Sequence, residues 1–244
     1  MPKKPRSAEE IEAVRVNILD HALELIINDG FEGLSMRKLA KRLGVAAVTI
    51  YSYFENKDEI YLAVLTKGFE KLFADCETAY HSCTDPLLRL KAMVVAYVDF
   101  GFNETHFYNL MFTWRVPKYQ DFINTPLQES ASRELEVALK VNTIFIKAAG
   151  ELVNSITTTQ PESAPLSLNK EDLRLHVIIF WCTLHGYISG CANTLLNYLH
   201  EAPQSLKDPI IELTFTHIEH EVNEMKAGRG GRFEEFKKAL KAKQ

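Results

Sequence analysis

Residues 35–57, SMRKLAKRLGVAAVTIYSYFENK, restrict what this chain can fold into more than any other stretch. Met36 to Leu43 places Leu39, Ala40 and Leu43 on one helical face and keeps Arg37, Lys38, Lys41 and Arg42 off it. Gly44 stands where that helix must end, since glycine takes a positive φ at no steric cost. A second short helix, from Ala46 or Ala47 to about Phe54, follows with no room for a long loop. Two helices joined by a tight glycine turn make a helix-turn-helix, whose second helix can enter the major groove of DNA.

Charge points the same way. Residues 35–57 hold five bases (Arg37, Lys38, Lys41, Arg42, Lys57) and one acid, Glu55, in a chain whose formal net charge is −4. A basic island on an otherwise acidic protein implies a local polyanion site rather than general adhesion.

The run from Phe31 to Val45, continued by Thr49-Ile-Tyr-Ser-Tyr-Phe54 and Asn56-Lys57-Asp-Glu, resembles the DNA-binding domain of the tetracycline-repressor (TetR) family. The likeness extends over roughly residues 11 to 66. It implies that Arg37 and residues 46–53 approach the major groove of a double-stranded operator. Arg37 is suited to a bidentate contact with guanine, and Ala47 and Val48 to apolar contacts such as a thymine methyl. Thr49, Tyr51, Tyr53 and Lys57 are expected at phosphates, whereas Val45, Ile50 and Phe54 are expected in the three-helix core. In Ala46, Ala47, Val48 and Ser52 this chain departs from relatives with long polar side chains there. Direct readout is therefore thin, and Arg37, Tyr53 and DNA shape are left to carry more of the specificity.

With 244 residues and 46% hydrophobic content, the chain can bury the core of one large or two moderate domains. No segment alternates like a strand, so an all-α fold is expected. The boundaries read as a DNA-binding domain over 8–66, a helical ligand-binding and dimerisation domain over 67–225, and flexible basic tails at 1–7 and 226–244. Cys76, Cys83, Cys182 and Cys191 lack any C-x-x-C spacing and read as reduced thiols in a cytoplasmic protein. MPKKPRS has no apolar stretch after its charges and is not read as a signal peptide. Val177 to Leu196 approaches membrane length, but His185 and Asn193 within it and Glu171, Asp172 and Arg174 beside it favour a buried helix.

Punctuation along the chain divides the remaining helices. Ser7 with Glu10 is a capping-box signature opening a first helix with Ile11, Val14, Ile18, Ala22 and Leu25 as its core stripe. Gly30 ends it. Asn56 with Glu59 opens a fourth helix to about Tyr80, which leaves the DNA-binding unit. Pro86 begins a fifth to about residue 102, Asn103 and Glu104 open a short sixth, and a long helix runs from Leu127 to about Ile156. The polar, proline-containing 157–168 segment is a loop. Asn169 then caps a helix to about His200, and 206–225 forms the last.

Trp181-Cys-Thr-Leu-His185-Gly186 resembles the W-H-G signature of one C-terminal class within the TetR family. There the last two long helices form the dimer's four-helix bundle, so Gly186, Gly190, Leu213 and His217 are expected at a homodimer interface or packed internally. His185 could face a pocket, the interface or the core. The family's regulatory domain encloses an apolar cavity, and Phe100, Met111, Phe112, Trp114, Phe145, Trp181 and His185 are the expected lining for a small apolar or aromatic effector. No metal spacing is complete, no nucleophile elbow, P-loop or dinucleotide fingerprint is present, and no cofactor is implied. The resemblance thus implies a ligand-responsive repressor binding a palindrome as a dimer. A helical ligand-binding or interaction protein without operator binding is the competing class, and a helical enzyme the third.

Overall fold

The computed structural model describes residues 7–157 and 170–226, and every regular element among them is helical. Most of each expected basic tail and nearly all of the 157–168 loop lie outside the described residues, as does the cap expected at Asn169. The chain divides into two compact units, Met1–Phe73 with Glu104–Leu139, and Ala74–Asn103 with Lys140–Gln244.

The first unit begins with helix α1 (Ala8–Asp29), capped as its sequence dictates: Ser7 Oγ accepts from Glu10 N and Glu10 returns the bond to Ser7 N. Ile18, Ala22 and Leu25 are buried, but Ile11 is exposed, because the first turns of α1 project beyond the elements that cover its core stripe. Gly30 ends α1 with φ 72°, and the Phe31 ring meets Tyr61 edge-on at 4.8 Å. Helices α2 (Met36–Leu43) and α3 (Ala47–Tyr51) follow, and α4 (Lys57–His81) starts in this unit. Ile60, Val64, Leu65, Phe69 and Leu72 form its buried face, as the spacing predicts, while Phe73, also expected there, is half-buried.

Against α4 the unit sets the short α6 (Thr105–Tyr108) and a π-helical turn, Asn109–Thr113. The approach is close: a Cβ on Gly68 would stand 2.8 Å from both Met111 Sδ and Phe107 Cδ1. A π turn frees carbonyls from regular pairing. Lys118 Nζ donates to two of these, Met111 O at 3.0 Å and Leu110 O at 3.4 Å. Tyr61 hydroxyl donates to Pro117 O at 2.7 Å, which ties this connection to the second turn of α4.

The second unit contains the end of α4, α5 (Pro86–Asn103), most of α7 (Gln128–Thr157), α8 (Lys170–Ala192) and α9 (Lys207–Lys226). Asp85 accepts from Leu87 N and Leu88 N at the start of α5. Gly101 lets α8 approach α5 so nearly that an added Cβ would meet Ile188 Cγ2 at 2.5 Å. The Phe180 and Phe215 rings join α8 to α9, and Lys207 pairs with Asp99 of α5 at 2.6 Å. Helix α8 ends at Ala192, eight residues before the expected His200. Thr194 adopts φ 59°, a left-handed conformation that an α-helix cannot continue through. The Tyr187 hydroxyl, whose pKa burial raises first of all, donates to Pro203 O at 3.0 Å.

Candidate nucleic-acid interface

The turn between α2 and α3 is built from its sequence. Ser35 caps α2 through Lys38 N. Gly44 is left-handed, φ 67° and ψ 28°, and Val45 N donates back to Ala40 O at 3.0 Å. Val45, at 40% exposure, departs from the expected core position, whereas Ile50 and Phe54 are buried as expected. Helix α3 is shorter than its sequence suggests. Ala46 offers no side-chain cap, and at the other end Ser52 Oγ bonds Thr49 O at 2.7 Å.

The outer surface of this unit carries Val48 at 73% exposure and Tyr51 at 55%, with Arg37, Ala46 and Ser52 also exposed. Ala47, Thr49, Tyr53 and Lys57 are half-buried. The five bases differ in their partners. Lys38 pairs with Asp29 at 3.1 Å, Arg42 with Glu24, and Lys57 with Glu32 at 3.3 Å while lying 4.6 Å from the Phe31 ring centroid. Among the described residues Arg37 and Lys41 have no ion pair, so their charge faces outward uncompensated. Sequence reasoning missed Arg15: its Nη1 donates to Tyr53 O at 2.7 Å, from 38 residues upstream. No local pattern signals a contact at that separation.

In the second unit Trp181 stacks on His185, with centroids 4.6 Å apart and planes 14° apart, and burial lowers the His185 pKa. The two glycines of the motif are in different surroundings. A Cβ on Gly186 would meet nothing within 4 Å, whereas one on Gly190 would stand 2.8 Å from Leu196 Cγ of the same chain. Ile178 and Ile179 of α8 are exposed, and Leu213 of α9 is exposed to 72%. The His217 side chain lies outside the described residues. Of the expected effector lining, Met111, Phe112 and Trp114 belong to the first unit, and Phe100, Phe145, Trp181 and His185 to the second.

Comparison with known proteins decides what this helix-turn-helix is. Residues 18–64 match the model of bacterial regulatory proteins of the tetR family, and residues 90–209 match that of the tetracyclin repressor-like C-terminal domain. The chain belongs to the TetR family. The TetR-family relatives with curated names include the HTH-type transcriptional activator FasR of Mycolicibacterium smegmatis, 34% identical over 98 residues, which span 40% of this chain and 45% of that protein. The transcriptional repressor KstR of the same organism is 35% identical over 80 residues, spanning 33% of this chain and 39% of KstR. The chain thus spans less than half the length of these relatives. Solved TetR-like structures agree over more of the fold. The fatty acid degradation regulator FadR from Bacillus halodurans superposes with TM-score 0.59 at 18% identity, covering 87% of this chain and 97% of that one. FadR from Bacillus subtilis, solved in complex with stearoyl-CoA, gives TM-score 0.56 at 19% identity, covering 81% and 96%. At such identities the likeness establishes the fold alone. Among the described residues no helix is long and apolar enough to cross a membrane.

Proposed function

We propose that this TetR-family chain is a sequence-specific transcriptional regulator, a ligand-responsive repressor that binds a palindromic operator as a homodimer in the cytoplasm. Residues 8–66 are the DNA-binding domain in this reading, and 67–225 the effector-binding and dimerisation domain. The observation that carries it is the exposed surface of the helix-turn-helix, which holds Arg37 and Lys41, without ion pairs among the described residues, together with exposed Val48 and Tyr51. The role of the chain is binding, not catalysis.

Arg37, Ala46, Ala47, Val48, Thr49, Tyr51, Ser52, Tyr53 and Lys57 make up the proposed DNA surface. Arg37 supplies the one guanidinium there, suited to a bidentate pair with a guanine edge. Lys57 reaches a phosphate only by loosening its contact with Glu32. Two recognition helices spaced about one DNA turn, roughly 34 Å, would meet successive major grooves. The exposed Ile178, Ile179 and Leu213, with the open space beside Gly186, support a dimer surface on α8 and α9. The effector is a small apolar or aromatic molecule. The FadR neighbour was solved with stearoyl-CoA, which shares an apolar acyl chain with that class but carries in addition a large, charged CoA group. The effector acts by binding the DNA-competent and DNA-incompetent conformers unequally.

One observation favours the second reading, a helical ligand-binding or interaction protein without operator binding. Ala46, Ala47 and Val48 give α3 little with which to read bases. Selection from a genomic-fragment pool separates the two. The regulator reading expects a palindromic consensus, and Arg37→Ala should relax preference at one base position per half-site at a cost of about 1–3 kcal/mol. An unchanged consensus would remove Arg37 from base readout.

A further inference from the structure

Helix α3 spans only Ala47–Tyr51, so its carboxy-terminal turn needs support from elsewhere. Tyr53 N donates to Ile50 O at 2.9 Å and Phe54 N to the same carbonyl at 3.1 Å, which closes the turn from within. The outside support comes from α1. Arg15 Nη1 donates to Tyr53 O at 2.7 Å, and the same guanidinium lies 4.2 Å from the centroid of the buried Phe54 ring. A planar cation thus holds two consecutive residues of the turn at once, one by a charge-assisted hydrogen bond and one by its face. Glu12 Oε2 stands 4.0 Å from Arg15 Nε and offsets part of its charge.

We propose that Arg15 is a positioning residue for DNA recognition. It fixes the turn after α3, and with it the angle at which Tyr51 and Tyr53 meet the duplex, without itself touching a base or a phosphate. The proposal rests on the DNA-binding reading of this surface. Lysine would keep the charge and one donor but not the planar face, so the geometry requires arginine in particular.

The test compares the full-length wild type with Arg15→Met and Arg15→Lys by two measurements. The first is fluorescence anisotropy against the DNA fragment selected by the wild type, repeated over a range of salt. Arg15→Met should weaken binding roughly tenfold, about the effect of one hydrogen bond to a charged donor. The slope of log affinity against log salt should stay unchanged, and Arg15→Lys should fall between the two. A slope shallower by about two counterions, one per protomer of the dimer, would make Arg15 a phosphate contact and overturn the positioning role. Unchanged affinity would overturn it too. The second measurement needs no DNA: amide hydrogen exchange should quicken at Tyr53 and Phe54 in both variants while the amides of α2 stay protected. Equal exchange in wild type and variants would refute the proposal even if no fragment binds, an outcome that by itself would count against the DNA-binding reading. If Arg15→Met does not fold, Arg15→Lys supplies both readouts.

Discussion

Glu134 of α7 is only 7% exposed, and burial raises the pKa of its carboxyl, against the opposing field of Lys118. Lys118, lowered by its own burial, directs its ammonium at the carbonyls of Leu110 and Met111. Because the folded-state pKa of Glu134 lies above its unfolded value, its contribution to stability is present in full below the ordinary carboxylate range and is lost as pH rises through the folded-state pKa. Glu134→Gln should therefore raise the melting temperature more at pH 8 than at pH 4. A glutamine variant less stable than wild type at pH 8 would mean that the attraction of Lys118 outweighs the cost of burial. Tyr61, also raised chiefly by burial, stays a neutral donor to Pro117 O throughout this range.

Helices α8 and α9 allow a sharper experiment at the scale of elements, because Gly186 and Gly190 differ in what surrounds them. Gly190→Val would drive a side chain into Leu196 and should destabilise the protomer by about 1–3 kcal/mol, with dimer mass kept at concentrations where it stays folded. Gly186→Val meets open space within the protomer, so its melting temperature as a monomer should hold while dimer mass falls in sedimentation. A dimer unaffected by Gly186→Val would move the interface away from this face. The elements themselves were legible wherever a local rule governs them. Ser7 with Glu10, Gly44 and Asp85 before Pro86 each do what their chemistry dictates within a few residues. What escaped depends on distant partners or on backbone conformation. Helix α8 stops short at a left-handed Thr194, and Arg15 reaches Tyr53 across 38 residues. In the proposed DNA site the residue types could be read in advance. The pairing of Lys38, Arg42 and Lys57 with acids of α1 and the turn after it could not, since it requires the fold.

At the scale of the whole molecule, those pairings bear on how strongly the proposed interface could hold DNA. A protein of net charge −4 must concentrate its cations to meet a polyanion. Among the described residues three of the five bases in residues 35–57 already pair within the protomer, so Arg37 and Lys41 can displace counterions without breaking an ion pair, whereas Lys57 must first loosen its contact with Glu32. In the proposed reading, with so few base-reading side chains, specificity falls to Arg37, Tyr53 and the shape of the groove. The most direct measurement is the affinity of the wild-type protein for its selected fragment as a function of salt. Two protomers offering two such cations each predict a linear fall of log affinity with log salt, with a slope on the order of −4 or steeper. Affinity that does not change with salt, or no selective binding to any fragment of a genomic pool, would contradict the DNA-binding function.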